Sequence, residues 1–139
     1  MNKIKSVIDT NIFYSGLYSS EGASFRILKL MRAGKIIPVV STTLIFEYEE
    51  VLKRKKDTLN LSEEDINQFL DNICNFSEKQ KIYYLWRPYL RDPKDDHILE
   101  LAVASKTNYI VTYNIKDFKG SKEFGIDVIK PNQLLEILL

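Results

Sequence analysis

Oxygen-bearing side chains occur in this sequence where predicted strands end and predicted helices begin. Carboxylates that are brought close together raise one another's pKa, and a divalent cation relieves that conflict. Oxygen ligands suit Mg²⁺ or Mn²⁺, whereas one histidine and one cysteine cannot supply a zinc set. The candidate side chains are Asp9, Glu47, the pair Asp95 and Asp96, and Asn114 with Asp117.

Glu47 interrupts the apolar stripe of a predicted helix. Its helical neighbours are Leu44 and Val51, so its carboxylate is expected on the core-facing side. A buried carboxylate is costly unless something positive meets it. Two interpretations remain open, a glutamate that reaches solvent near the helix start and a metal ligand.

The other candidates also have ordinary structural interpretations. Asp95 and Asp96 lie in the first turn of a predicted helix that begins at Asp92-Pro93, where negative charge favours the helix dipole. Asn114 and Asp117 follow a predicted strand, where such residues commonly form turns. Taken together, however, these acids all lie where predicted strands end or predicted helices begin, and this favours a common site.

Strands that alternate with helices must position these residues. The alternation predicts a three-layer α/β/α domain, spanning residues 1–139, around a central, mostly parallel five-stranded sheet. In such sheets ligands bind beyond the carboxyl ends of the strands, so the acids are expected to converge at one edge. The predicted strands are Val7-Ile8 with its preceding residues, Ile36–Val40, Ile82–Leu85, Tyr109–Thr112 and Asp127–Ile129.

The amino-acid composition indicates the general class of protein but does not by itself indicate a function. The chain has 139 residues, a formal net charge of +1 and 45% hydrophobic residues, which is typical of a globular domain. The single Cys74 rules out an internal disulfide and fits a reducing cytoplasm. We see no signal-peptide pattern and no apolar segment of bilayer length, and therefore expect a cytoplasmic protein without membrane contact.

Four motifs, in order, carry a family resemblance. They are Asp-Thr-Asn at residues 9–11, Ser-Thr-Thr-Leu-Ile-Phe-Glu at 41–47, Asp-Pro-Lys-Asp-Asp-His-Ile-Leu-Glu-Leu-Ala at 92–102 and Tyr-Ile-Val-Thr-Tyr-Asn-Ile-Lys-Asp-Phe at 109–118. Together they resemble the PIN domain, in the variety described as VapC-like toxins of toxin–antitoxin systems. The resemblance implies a PIN-like fold and a ribonuclease dependent on one or two Mg²⁺ or Mn²⁺ ions.

The resemblance also implies roles for individual residues. Asp9, Glu47 and Asp96 match the three best-kept acids of the family, which are catalytic and bind metal. At the fourth position many relatives have Asp and this chain has Asn114, so either Asn114 or Asp117 is expected to complete the ligands. Residues implied to orient the ligands or the attacking water are Thr10, Asn11, Ser41, Asp95 and Thr112, and cations implied to hold RNA are Arg91, Lys94, Lys116 and Lys119.

His97 directly follows Asp96 on the same predicted helix. Successive helical residues are rotated by about 100° from one another. We therefore expect the His97 side chain to point about 100° away from Asp96 and not to contact substrate.

The implied partners are single-stranded or looped RNA, whose bases are exposed for recognition, a small antitoxin protein and a second copy of the chain in a homodimer. Two other interpretations compete with this one. Asn114 favours a catalytically impaired module that binds RNA or a protein. Haloacid-dehalogenase-type phosphatases need a second Asp where Asn11 stands, and receiver domains need an Asp after the third strand, where this chain has Trp86-Arg87-Pro88.

Overall fold

A central five-stranded sheet organises the computed structural model, which describes residues 3–82 and 95–138. The strand order is β3-β2-β1-β4-β5, and each of the four neighbouring pairs is parallel. The strands are β1 (Ile4–Ile8), β2 (Ile36–Val40), β3 (Glu78–Lys79), β4 (Tyr109–Val111) and β5 (Asp127–Ile129).

Helices connect the strands. They are α1 (Thr10–Tyr18), α2 (Ala23–Arg32), α3 (Thr42–Arg54), α4 (Lys56–Leu59), α5 (Glu63–Phe76), α6 (Asp96–Ala104) and α7 (Pro131–Leu138). Two short 3₁₀ turns, Ile115–Phe118 and Ser121–Phe124, lie between β4 and β5. Among the helices of the described residues, none has the length and apolar character needed to cross a bilayer.

The central strand β1 is covered on both faces. Ser6, Val7 and Ile8 are consecutive and fully buried, although alternate residues of a strand point to opposite faces. Helix α6 packs against β1, β4 and α3, while α1 contacts both α2 and α3. The predicted α/β architecture with a parallel five-stranded sheet is confirmed.

Two elements differ from the sequence-based prediction. The third strand was expected at Ile82–Leu85, but β3 is Glu78–Lys79, which pairs with Val39 and Val40; most of the expected segment lies outside the described residues. Glu78 and Lys79 are polar, so no apolar pattern marks this strand in the sequence. A strand at a sheet edge can form through backbone hydrogen bonds alone, without apolar side chains.

Helix α1 is longer than its sequence indicates. Glycine weakens a helix interior, so the segment after Asn11 predicts only a first helical turn that Gly16 loosens, but Gly16 is buried within a continuous nine-residue helix. A Cβ atom at Gly16 would lie 2.7 Å from Leu28 Cδ1 and 3.2 Å from the Ser24 carbonyl oxygen. The absent side chain therefore lets α1 and α2 approach closely.

Candidate active site

The pairing of β1 with β4 places Asp9 beside Thr112. Ile8 is the register partner of Val111, and the ladder continues one residue further because the Asp9 amide donates to the Val111 carbonyl over 2.9 Å. The Thr112 hydroxyl donates to Asp9 Oδ2 over 2.6 Å, and the Thr10 amide donates to Asp9 Oδ1 over 2.8 Å. Both carboxylate oxygens of this nearly buried aspartate are thus held by hydrogen bonds.

Helix α3 brings Glu47 to the same edge of the sheet. Ser41 begins this helix as its N-cap, accepting a hydrogen bond of 3.1 Å from the Leu44 amide. Glu47 lies more than one turn inside the helix, beyond the first turn where a helix dipole would account for its charge. The adjacent Tyr48 is fully buried and donates its hydroxyl to the Ile8 carbonyl, which fixes α3 to the end of β1.

Both carboxylate oxygens of Glu47 are also engaged. Oε2 accepts a hydrogen bond from the Thr10 hydroxyl, and Oε1 lies 3.0 Å from His97 Nε2. Thr10 therefore joins the two acids, because its amide contacts Asp9 while its hydroxyl contacts Glu47. The Glu47 side chain remains 29% exposed, so solvent reaches this end of the network.

The two carboxylates differ in acidity. Burial raises the pKa of Asp9, the negative charge of Glu47 raises it further, and the hydrogen bonds from Thr112 and Thr10 only partly oppose this. Burial also acts to raise the pKa of Glu47, but hydrogen bonds from His97 and Thr10 outweigh it and leave that pKa below its ordinary value. Glu47 is therefore the more readily ionised acid of the pair.

Helix α6 contributes Asp96 and His97. Asp96 is 1% exposed in the first turn, and Asp95 is the N-cap residue. His97 is 7% exposed and reaches Glu47 across 50 residues of sequence, a contact that its rotation from Asp96 did not predict. Every residue from Asp96 to Ala102 is buried, and a helix enclosed on all sides has no solvent face to which His97 could turn. The apolar sequence after His97 was the signal for this.

The loop after β4 supports Thr112. The Thr112 hydroxyl oxygen accepts hydrogen bonds from Asn11 Nδ2 at 3.3 Å and from the Asn114 amide at 3.0 Å. Asn11 also accepts one from the Tyr113 amide at 3.4 Å. Asp117 lies in the following 3₁₀ turn, where its amide donates to the Asn114 carbonyl over 3.0 Å.

The structure thus gathers several of the residues that the sequence predicted. Asp9, Glu47, Thr10, Asn11 and Thr112 form one hydrogen-bonded network, and Asn114 joins it through its backbone. Ser41 is buried and caps the helix that carries Glu47. Lys116 is exposed on the turn after Asn114, Lys119 is exposed just beyond that turn, and Arg91 and Lys94 lie outside the described residues.

The donor chemistry of this edge fits a hard dication in part. Asp9 and Glu47 present carboxylate oxygens. Burial and the negative charge of Glu47 raise the pKa of Asp9, and a nearby positive charge would oppose that shift. Within residues 3–82 and 95–138, no three Asp, Glu, His or Cys side chains are grouped closely enough to hold a metal ion. The third acid, Asp96, begins the helix whose next residue contacts Glu47.

Comparisons with known proteins agree with this architecture. A family model described as "PIN domain" matches residues 5–116, which contain the whole network. A chain from the crystal structure of VapBC2 from Rickettsia felis, bound to a DNA fragment from their promoter, has 17% sequence identity and a TM-score of 0.62. The match covers 91% of this chain and 98% of that chain, and it shows a shared fold. No curated protein sequence matches the chain significantly.

Proposed function

Because this chain belongs to the PIN-domain family, whose VapC-type members are nucleases, we propose that it is a metal-dependent endoribonuclease. It hydrolyses phosphodiester bonds in single-stranded or structured RNA. The observation that carries this proposal is the network in which Thr10 joins Asp9 to Glu47 at the carboxyl edge of the central strands.

The proposed cofactor is one or two Mg²⁺ or Mn²⁺ ions. Asp9, Glu47 and Asp96 would hold the ion, with Asn114 or Asp117 as a further oxygen ligand. When bound, such an ion supplies charge neutralisation for the phosphodiester and activation of the attacking water. Three features support this choice of ion: the ligands are oxygen atoms, burial disfavours the ionised form of Asp9, and the lowered pKa of Glu47 favours its ionised form.

The protein's own residues hold the carboxylates in place. Thr112 and the Thr10 amide fix both oxygens of Asp9, while the Thr10 hydroxyl and His97 fix both oxygens of Glu47. Asn11 in turn orients the hydroxyl of Thr112. Ligands held in one orientation lose little freedom when the reaction site assembles, which favours catalysis.

Cations beside this edge would hold the RNA backbone. Lys116 is exposed on the turn that follows Asn114, and Lys119 is exposed next to that turn. Arg91 and Lys94 precede helix α6 in sequence and are proposed for the same role. Contacts of this kind bind phosphate without reading sequence, so they position the strand and leave base recognition to other groups.

A protein partner is part of the proposal. The structural neighbour VapBC2 is named for a complex and was solved with promoter DNA. By analogy we propose that this chain is the toxin of a toxin–antitoxin pair, that it acts in the cytoplasm as a homodimer, and that a small antitoxin binds it.

Two observations favour a second candidate function. Asn114 stands where many relatives have an aspartate, and the described residues do not assemble a three-acid group. A catalytically impaired module that binds RNA or a protein would have both features. Catalysis is the stronger candidate, because an impaired site has no need to keep Asp9, Glu47 and Asp96 in buried or bonded positions.

Cleavage of a mixed RNA pool tests the two candidates directly. The unmodified protein is expected to cleave RNA with Mg²⁺ or Mn²⁺ and to stop when EDTA is added. Glu47→Gln should abolish cleavage, while Glu49→Gln, on the same helix but paired with Lys53 at the surface over 2.9 Å, should not. No cleavage with either ion would reject the nuclease in favour of the binding module, and equal cleavage by Glu47→Gln would show that the cleavage does not come from this site.

A further inference from the structure

Tyr113 lies directly beside the acid network. It follows Thr112, whose hydroxyl contacts Asp9, and its own amide donates to Asn11 Oδ1 over 3.4 Å. At the other end of the side chain, the Tyr113 hydroxyl shares a hydrogen bond of 2.5 Å with Ser24 Oγ. Ser24 is fully buried on α2, so the tyrosine is held at both its backbone and its hydroxyl.

Tyr113 is nevertheless exposed to solvent. The residue is 41% exposed, whereas Tyr48, the other tyrosine bonded at this edge, is fully buried between α3 and the sheet. A tyrosine that served only to fill the core would resemble Tyr48. Tyr113 instead presents an immobilised aromatic surface at the edge of the candidate active site, and little conformational entropy remains to be lost when a ligand stacks on it.

An unpaired nucleobase is the ligand that suits this surface. Every base has an aromatic face, and unstacked bases of single-stranded RNA commonly stack on tyrosine. Exposed Asn114 and Lys116 follow within three residues and supply an amide and a cation for the attached nucleotide.

We propose that Tyr113 is the stacking platform for one unpaired base of the RNA, next to the phosphodiester that is cleaved. This subsite rests on the proposed ribonuclease function and adds a recognition element to it. Tyr113 binds through its ring, and its hydroxyl bond to Ser24 sets the orientation of that ring.

Binding of a fluorescent single-stranded RNA oligonucleotide, in Mg²⁺ and in the Glu47→Gln background to prevent cleavage, tests the platform. Tyr113→Leu should weaken binding roughly 10- to 100-fold, because stacking on an aromatic ring is lost. Tyr113→Phe keeps the ring and should bind nearly as well as the parent. The matched control is Tyr18→Leu, which alters a 63% exposed tyrosine at the far end of α1.

An abasic scan of the oligonucleotide separates stacking from a general structural effect. In the parent, removal of the base that stacks on Tyr113 should weaken RNA binding. In Tyr113→Leu, removal of the base at that same position should not weaken binding any further. Additive losses at every position, or unchanged binding by Tyr113→Leu, would overturn the stacking proposal. RNA cleavage by the unmodified protein is measured separately, so failure of the nuclease function and failure of this subsite are distinguishable.

Discussion

His97 Nε2 lies 3.0 Å from Glu47 Oε1, and this partly buried contact joins α6 to α3. An ionised carboxylate can only accept hydrogen bonds, so the histidine donates in this contact. Together with Thr10 on the other oxygen, His97 determines which way the Glu47 carboxylate faces. The only histidine of the chain is therefore a positioning residue for the acid proposed to be central to catalysis.

Replacing His97 tests this positioning role. His97→Leu should reduce RNA cleavage and Mn²⁺ affinity by roughly 10- to 100-fold, the usual cost of losing a group that orients a metal ligand. His97→Gln retains a side-chain N–H donor and should recover most of both. Mn²⁺ binding is measured by electron paramagnetic resonance, and equal affinity in the Leu and Gln variants would show that the hydrogen bond has no such role.

Thr112 allows a similarly matched pair of variants. Thr112→Val removes the hydroxyl that donates to Asp9 but preserves the shape of the side chain, so the variant should lose about 1–3 kcal/mol of unfolding free energy. Thr112→Ser keeps the hydroxyl and should lose much less. Urea denaturation followed by circular dichroism measures the difference, and equal stability of the two variants would contradict the proposed support of Asp9.

The raised pKa of Asp9 predicts a pH-dependent stability difference. Burial, the largest cause, disfavours the ionised carboxylate in the folded protein, so the folded state keeps a proton that the unfolded chain has released. In EDTA, ionisation of Asp9 therefore lowers stability as the pH rises above the ordinary aspartate value. Asp9→Asn removes this cost, and its melting temperature relative to the parent should rise from acidic to neutral pH; a flat difference would contradict the shift.

Divalent ions should stabilise the parent protein. A ligand that binds only the folded state raises the unfolding free energy by about 2.7 kcal/mol at 100 times its dissociation constant. Mn²⁺ should therefore raise the melting temperature of the parent by several degrees, and Asp9→Asn should lose this response. A Mn²⁺ response that persists in full in Asp9→Asn would place the ion elsewhere.

The close approach of α1 and α2 predicts an effect of Gly16→Ala. The new methyl group would overlap Leu28 and press on the Ser24 carbonyl, and overpacking of this kind typically costs about 1–3 kcal/mol. Better helix propensity returns up to about 1 kcal/mol, so a net loss of stability is expected. Adding Leu28→Ala should cost less in the Gly16→Ala background than in the parent, which a double-mutant cycle of unfolding free energies measures.

Much of the architecture follows from short-range sequence pattern. Apolar segments that end in polar residues identified β1, β2, β4 and β5, and the Ser62–Asp65 capping box at the start of α5 was visible as Ser and Asp three residues apart. The acids Asp9 and Glu47 were recognisable because each interrupts an apolar context. These features depend on neighbours in sequence, which is why a single sequence discloses them.

The remaining features depend on tertiary contacts. The contact between His97 and Glu47 depends on the packing of α6 against α3, which the rotation of about 100° from Asp96 did not predict. The strand Glu78–Lys79 depends on its pairing with β2, and the need for glycine at position 16 depends on the close approach of Leu28. The exposed ring of Tyr113 likewise depends on Ser24, which is distant in sequence.

The register between β1 and β4 has a consequence for the timing of activity during synthesis. Asp9 and Thr112 are separated by 103 residues, and they become neighbours only when β4 has added to the edge of β1. A ribosome that has made the first hundred residues has produced a chain in which this aspartate has no hydroxyl partner. Chains that end before Thr112 therefore cannot form the hydrogen bond that holds Asp9 Oδ2, and the candidate active site assembles only after β4 has been translated.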